Sequence, residues 1–179
     1  MAMKKLALLT IAVALLTAVA AVGASKSSGT VKFMQTGSAL ELTFANKQKL
    51  IITGKGTSVP EGTLMPETYA ILKPGKDGAV WRLEGVKGKL GELASITVTK
   101  GQTTEIDIGL PLTVKPMRFM ATRNKAGETF IPIMYTLTGK NGELFSNEMK
   151  MGARNAPLPY FQITDSNNKV LSEGQFEYG

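Results

Sequence analysis

From Val31 onward, apolar residues recur at every second position, the period of a strand that buries one face and shows the other to water. The runs Leu40-x-Leu42-x-Phe44, Ile96-x-Val98, Ile106-x-Ile108-x-Leu110 and Ile131-x-Ile133-x-Tyr135-x-Leu137 carry this alternation most plainly. Clusters of turn residues separate them: Thr53-Gly54-Lys55-Gly56, Pro74-Gly75-Lys76-Asp77-Gly78, Lys100-Gly101-Gln102, Lys125-Ala126-Gly127, Lys140-Asn141-Gly142 and Asp165-Ser166-Asn167-Asn168. They fall roughly every ten residues, the rhythm of a β-sandwich. No window beyond the N-terminal leader sustains a helical period. The pattern predicts an all-β chain folded as an antiparallel β-sandwich of immunoglobulin-like or prealbumin-like type.

The leader is of another kind. Met1-Ala2-Met3-Lys4-Lys5 is basic, Leu6 to Ala24 is uncharged, and Val22-Gly23-Ala24 before Ser25 fits the small-x-small cleavage rule. Residues 1–24 therefore read as a secretory signal peptide cut between Ala24 and Ser25, with Ala18-Val19-Ala20 as a second cleavage candidate. Export to the periplasm, the cell surface or the medium follows. The competing reading is an uncleaved anchor, because 19 uncharged residues approach the ~20 that span a bilayer. The membrane would then be met only through this segment.

Within the remainder, Pro111 to Pro116 marks a boundary, since each proline restricts the residue before it. Residues 25–29 read as a flexible start, 30–112 as one β-sandwich domain and 116–179 as a second, small β-domain. One larger sandwich over 30–179 is the alternative, because about 60 residues make a marginal core.

Composition narrows the chemistry. The chain has no cysteine and no histidine. That excludes disulfide staples, thiolate or imidazole metal sites and histidine-assisted nucleophiles. The net charge of +7 falls to +5 without Lys4 and Lys5, and the lysines are scattered among turns. Nucleic-acid binding calls for a concentrated basic face instead. No cofactor motif is present: Gly85 to Gly91 is glycine-rich but lacks phosphate-loop spacing. Asp165 to Asn168 superficially resembles a calcium loop but has no bidentate acid at its far end, and reads as a hairpin turn. The pairs Met117/Met120 and Met149/Met151 offer soft sulfur, yet adaptable packing accounts for them. Carboxylate chemistry by Glu84 with Glu92, or a Ser146–Lys150 pair, are the remaining catalytic options.

Two segments carry resemblances. Leu64-Met65-Pro66-Glu67-Thr68-Tyr69-Ala70-Ile71, followed by Ile96-Thr97-Val98-Thr99-Lys100-Gly101-Gln102-Thr103-Thr104-Glu105-Ile106, resembles the small envelope domains of the PEGA and carboxypeptidase-regulatory, prealbumin-like type. Glu67 stands where those domains have glycine. The resemblance covers about residues 64–112 and implies a non-catalytic β-sandwich module with a hairpin at Lys100-Gly101-Gln102. The end, Asp165 to Gly179, resembles that of uncharacterised secreted bacterial proteins and implies no particular function.

The expectation is therefore an exported, non-enzymatic interaction or structural accessory of the cell envelope. Its partner would be an envelope or extracellular protein or a polysaccharide. A carbohydrate-binding module is the alternative, and a carboxylate-based hydrolase the remote one. The candidate contact residues are Trp81, Tyr69, Phe176 and Tyr178. Alternation puts Trp81 with Leu83 on one strand face, where a buried role in the core competes with a sugar-stacking one.

Overall fold

The computed structural model describes residues 27–118, 120–123, 125–127, 129–130 and 132–176. The cleavage candidates Ala24 and Ser25, and Tyr178, lie outside them. The chain is all-β. Its first strands are β1 (Ser28–Phe33), β2 (Ala39–Thr43), β3 (Lys49–Thr53), β4 (Thr57–Pro60), β5 (Gly62–Leu64), β6 (Thr68–Pro74) and β7 (Val80–Gly85). After a 3-10 turn at Gly91–Ala94 come β8 (Ile96–Val98), β9 (Thr103–Ile106) and β10 (Thr113–Arg118). The two-residue strands β11 (Thr122–Arg123) and β12 (Thr129–Phe130) precede β13 (Ile133–Thr138) and β14 (Leu144–Met151). The last are β15 (Arg154–Asn155), β16 (Tyr160–Thr164) and β17 (Val170–Gln175). Among the described residues, no helix is long and apolar enough to cross a membrane.

One large antiparallel sheet, ordered β10-β13-β14-β7-β6-β2-β3, forms the frame. Strands from both sides of Pro111–Pro116 lie next to each other in it, because β14 pairs with β7. Register aligns the inward residues across it. Leu40 faces Ile52 on one side and Ile71 on the other, Ile71 faces Leu83, and Leu83 faces Met149. Further along, Phe145 faces Leu137 and Leu137 faces Val114.

A second layer packs on part of this inward face. The sheet β4-β1-β9 and the pair β5-β8 supply Val31, Phe33, Val59, Ile96, Val98 and Ile106, all buried. They close over Leu40, Leu42, Ile52, Tyr69 and Ile71 to make one core, which Tyr135, Leu137 and Phe145 join from the other side. Each large aliphatic side chain buried here contributes about 1.5–3 kcal/mol.

The Lys100-Gly101-Gln102 hairpin expected from the resemblance does not form a ladder. β8 pairs with β5, whereas β9 runs parallel to β1. Gly101 at φ +66° donates its N–H to Ser28 O, and Thr30 N donates to Gln102 O. The turn thus hands the chain from one sheet to the next, held by backbone groups of β1 that local alternation does not reveal. The β9 strand also stops at Ile106 rather than continuing to Leu110. Gly109 takes φ +93°, a conformation that favours glycine, while Ile108 remains wholly buried outside any strand.

Candidate functional site

The other half of the inward face, on β7, β14, β13 and β10, lacks this second layer. Its cover is the segment Ala156-Pro157-Leu158-Pro159 and the hairpin β16-β17. The prolines have no N–H to donate to a ladder, and the segment is held at its ends: Ala156 N donates to Met149 O (2.7 Å) and Phe176 N to Pro159 O (3.0 Å). The hairpin rests on Tyr135 through Phe176, whose ring lies 4.8 Å away edge-on, and Phe161 stacks behind at 5.2 Å.

A cleft of about 360 Å³ remains between sheet and cover. Trp81, Tyr135, Tyr160 and Phe176 line it together with Leu112, Val114, Leu137 and Met149. Four of the twelve aromatic residues of the chain thus meet in one place. Several are incompletely buried: Val114 is 60% and Tyr160 59% exposed, and Trp81 and Met149 are half-buried. Its polar groups are largely engaged. The Asn147 amide donates to Tyr135 O at 2.8 Å, and the Tyr135 hydroxyl points to Asn147 O at 3.5 Å.

Beyond Trp81, Leu112 and Met149, which the two share, lies a second hollow of about 160 Å³. Ser38, Ile71, Lys73, Leu83 and Leu110 complete its lining. Lys73 is the register partner of Trp81. The Trp81 indole nitrogen lies against Gly75, where an added Cβ would come within 2.9 Å of it.

Two other hollows lie elsewhere. A wide one of about 830 Å³ spreads over the opposite sheet face, between the Met34–Ser38 and Gly54–Lys55 loops and the side chains of Ile51, Leu72 and Val80. It gathers no aromatic cluster. A polar one of about 380 Å³ is bounded by Thr68, Arg82, Glu84, Lys87 and Ser146.

The candidates read from the sequence separate into distinct environments. Trp81 shares its face with Leu83, as alternation requires, but the sheet end leaves it on the cleft rather than in the core. Tyr69 is in the core at 2% exposure and donates its hydroxyl to Leu144 O at 3.0 Å. Burial, and secondarily the Glu143 carboxylate, hold that hydroxyl above the usual phenolic range. Its ring also explains Gly85, where a Cβ would come within 2.1 Å of it. Tyr69 is thus chiefly a packing residue that also borders the polar hollow beside Thr68 and Arg82, while Phe176 lines the aromatic cleft.

The polar hollow brings Glu84 and Ser146 to one wall but includes neither Glu92 nor Lys150, their expected partners. Ser146 and Lys150 are four positions apart on β14, about 13 Å along a strand, and Ser146 Oγ accepts from Glu148 N. Glu84 accepts from Arg82 Nε at 2.8 Å, whereas Glu92 is exposed on the 3-10 turn. Arg82 also donates to the nearly buried Glu41, which Lys49 reaches too, both at 2.9 Å. Burial alone would raise the Glu41 carboxyl; Arg82 and Lys49 more than offset it and hold it below the usual carboxylate range. This is an ion network on the sheet's outer face. In the turn, Asp165 Oδ1 accepts from Asn167 N and Lys169 N at 2.8 and 2.9 Å, the geometry of a hairpin connection.

Periodicity identified the face of Trp81 but missed Tyr135, Tyr160 and Met149 as its neighbours. The one local signal was Pro157-Leu158-Pro159-Tyr160, a proline-interrupted aromatic segment that cannot continue a sheet. No family model, curated protein or solved structure matches the chain.

Proposed function

We propose that this is an exported, non-enzymatic β-sandwich module of the cell envelope that acts by taking an apolar group into the cleft between its sheet and its C-terminal hairpin. The observation that carries the reading is the convergence of Trp81, Tyr135, Tyr160 and Phe176 around a 360 Å³ hollow. Ligand sites are concave, mostly apolar and some 300–1,000 Å³ in size. Leader, alternation and the absence of histidine and cysteine support export and a non-catalytic role.

A carbohydrate-binding role is the second reading, favoured by Trp81 on the cleft wall. Sugar recognition needs hydrogen-bonding groups around the stacked ring to replace the water lost by the hydroxyls. Asn147 and Tyr135, already engaged with each other's strand, supply few. An apolar ligand makes no such demand.

Calorimetric titration with the neutral apolar probe N-phenyl-1-naphthylamine, and in parallel with mixed oligosaccharides, separates the readings. The expected result is saturable binding of the probe, loss of that binding in Val114→Glu, and no heat from the sugars. Val114 is an exposed edge-strand residue, so the substitution tests the cleft rather than the fold. Probe binding that Val114→Glu leaves intact, or sugar binding alone, would reverse the assignment.

A further inference from the structure

The cleft has a polar end. Ser38 is 8% exposed, and its hydroxyl has no hydrogen-bond partner among the described residues. Leaving a buried hydroxyl unmade costs about 1–3 kcal/mol. Its backbone is fixed, with Ser38 N donating to Gln35 O at 3.2 Å and the Gln35 side chain donating to Leu110 O at 3.0 Å. This unpaired donor belongs to a residue that borders both the inner hollow, beside Lys73, and the wide hollow of the opposite face; the inner hollow alone continues into the aromatic cleft. Lys73 forms no ion pair with a carboxylate among the described residues, unlike Lys32, Lys49 and Lys140.

From this end the lining becomes wholly apolar and then aromatic: Ile71, Leu83 and Leu110, then Trp81, Leu112 and Met149, then the tyrosines and Phe176. An occupant must therefore be amphiphilic, with a small acceptor or anionic head and a long tail that carries no hydrogen-bonding groups. A peptide fails on the second count. Its buried amides need partners, and Asn147 and Tyr135 already bond to one another's strand. A methylene chain needs none and gains about 0.8 kcal/mol per buried CH₂.

Resting on the cleft reading above, we propose that the ligand is a single-chain fatty-acid carboxylate. Its head is held by the Ser38 hydroxyl and the Lys73 ammonium, and its chain passes Trp81, Leu112 and Met149 into the aromatic cleft. The carboxylate accepts from both donors, which satisfies the orphaned hydroxyl, and Lys73 balances its charge.

The test titrates the protein with dodecanoate, 1-dodecanol, dodecyltrimethylammonium and monoacyl phosphatidylglycerol, each below its micelle-forming concentration, alongside N-phenyl-1-naphthylamine. Dodecanoate is expected to bind at least tenfold more tightly than the ammonium amphiphile and severalfold more tightly than the alcohol. Lys73→Gln should remove most of that preference while leaving N-phenyl-1-naphthylamine affinity unchanged. Ser38→Ala should weaken dodecanoate several-fold while leaving the melting temperature unchanged or higher, which a structural hydroxyl would not do. Equal affinity for all three dodecyl compounds, indifference to Lys73→Gln, or tighter binding of the phospholipid overturns the fatty-acid assignment and leaves the apolar cleft standing. Failure of N-phenyl-1-naphthylamine and every amphiphile to bind overturns both.

Discussion

The two halves of the large sheet have the same alternating pattern and different cover, although Leu83, Tyr135, Leu137 and Phe145 of the second half are also buried. On β3, β2 and β6, the inward residues Ile52, Leu40, Leu42 and Tyr69 are at or near zero exposure because β1, β4, β8 and β9 lie over them. On β10, β13, β14 and β7, an irregular proline segment and one hairpin stand in for a second sheet. There Val114 is open to solvent and Trp81 is only half covered. Alternation therefore says which face a residue occupies and says nothing about what covers it. A sealed core and an open cleft are written in the same code.

The sharpest way to break this contrast is to truncate one residue in each half and measure stability by urea unfolding. Phe33→Ala, in the sealed half, should cost about 3–5 kcal/mol. Val114→Ala should cost no more than ~0.5 kcal/mol. Similar losses at the two sites would show that the cleft half is packed as tightly as the core.

Overpacking gives the next largest effect. Gly85→Ala would force a Cβ into the Tyr69 ring and should cost about 1–3 kcal/mol, visible as a lowered midpoint in thermal unfolding. An unchanged midpoint would mean that Tyr69 can yield, contrary to its place in the sealed core.

The outer-face network predicts a pH signature. The folded Glu41 carboxyl sits below its unfolded value, so its stabilisation is complete above about pH 4.3 and fades as pH falls through the folded value. Glu41→Gln should be about 1–2 kcal/mol less stable than the parent at pH 7. Urea unfolding at pH 7 and at pH 3 should show that gap narrowing in acid. A gap that widened in acid would reverse the sign assigned here.

The smallest effect is in the cover. Phe176→Leu should cost about 1 kcal/mol, the size of one aromatic pair, and hydrogen exchange should quicken in β16 and β17 while β2 and β6 remain protected. Equal acceleration in β2 would make the hairpin part of the sealed core.

Much of the fold is legible along the chain. Leu40 and Leu42 alternate around Glu41, Asp165 and Asn168 announce the last turn, and the strand faces of Trp81 and Leu83 follow from a period of two. What is not legible depends on residues distant in sequence. The Lys100-Gly101-Gln102 turn looks like a hairpin because its neighbours alternate, but Ser28 and Thr30 supply the hydrogen bonds that send β9 alongside β1. The cleft is illegible for the same reason: Trp81 and Tyr160 become neighbours only because β7 lies beside β14, and Pro157 and Pro159 keep the following segment from closing the sheet. Ser38 and Lys73, ordinary turn and strand residues by composition, acquire meaning only from the hollow they flank.

Trp81 is the chain's only tryptophan, so its emission reports directly on the cleft half. Titrating that emission with N-phenyl-1-naphthylamine shows whether an apolar group enters the cleft beside Trp81. Saturable quenching at one probe per chain is expected, abolished by Val114→Glu and preserved in Glu41→Gln on the opposite face. Trp81 emission that the probe leaves unchanged, or quenching that survives Val114→Glu, would contradict the cleft reading.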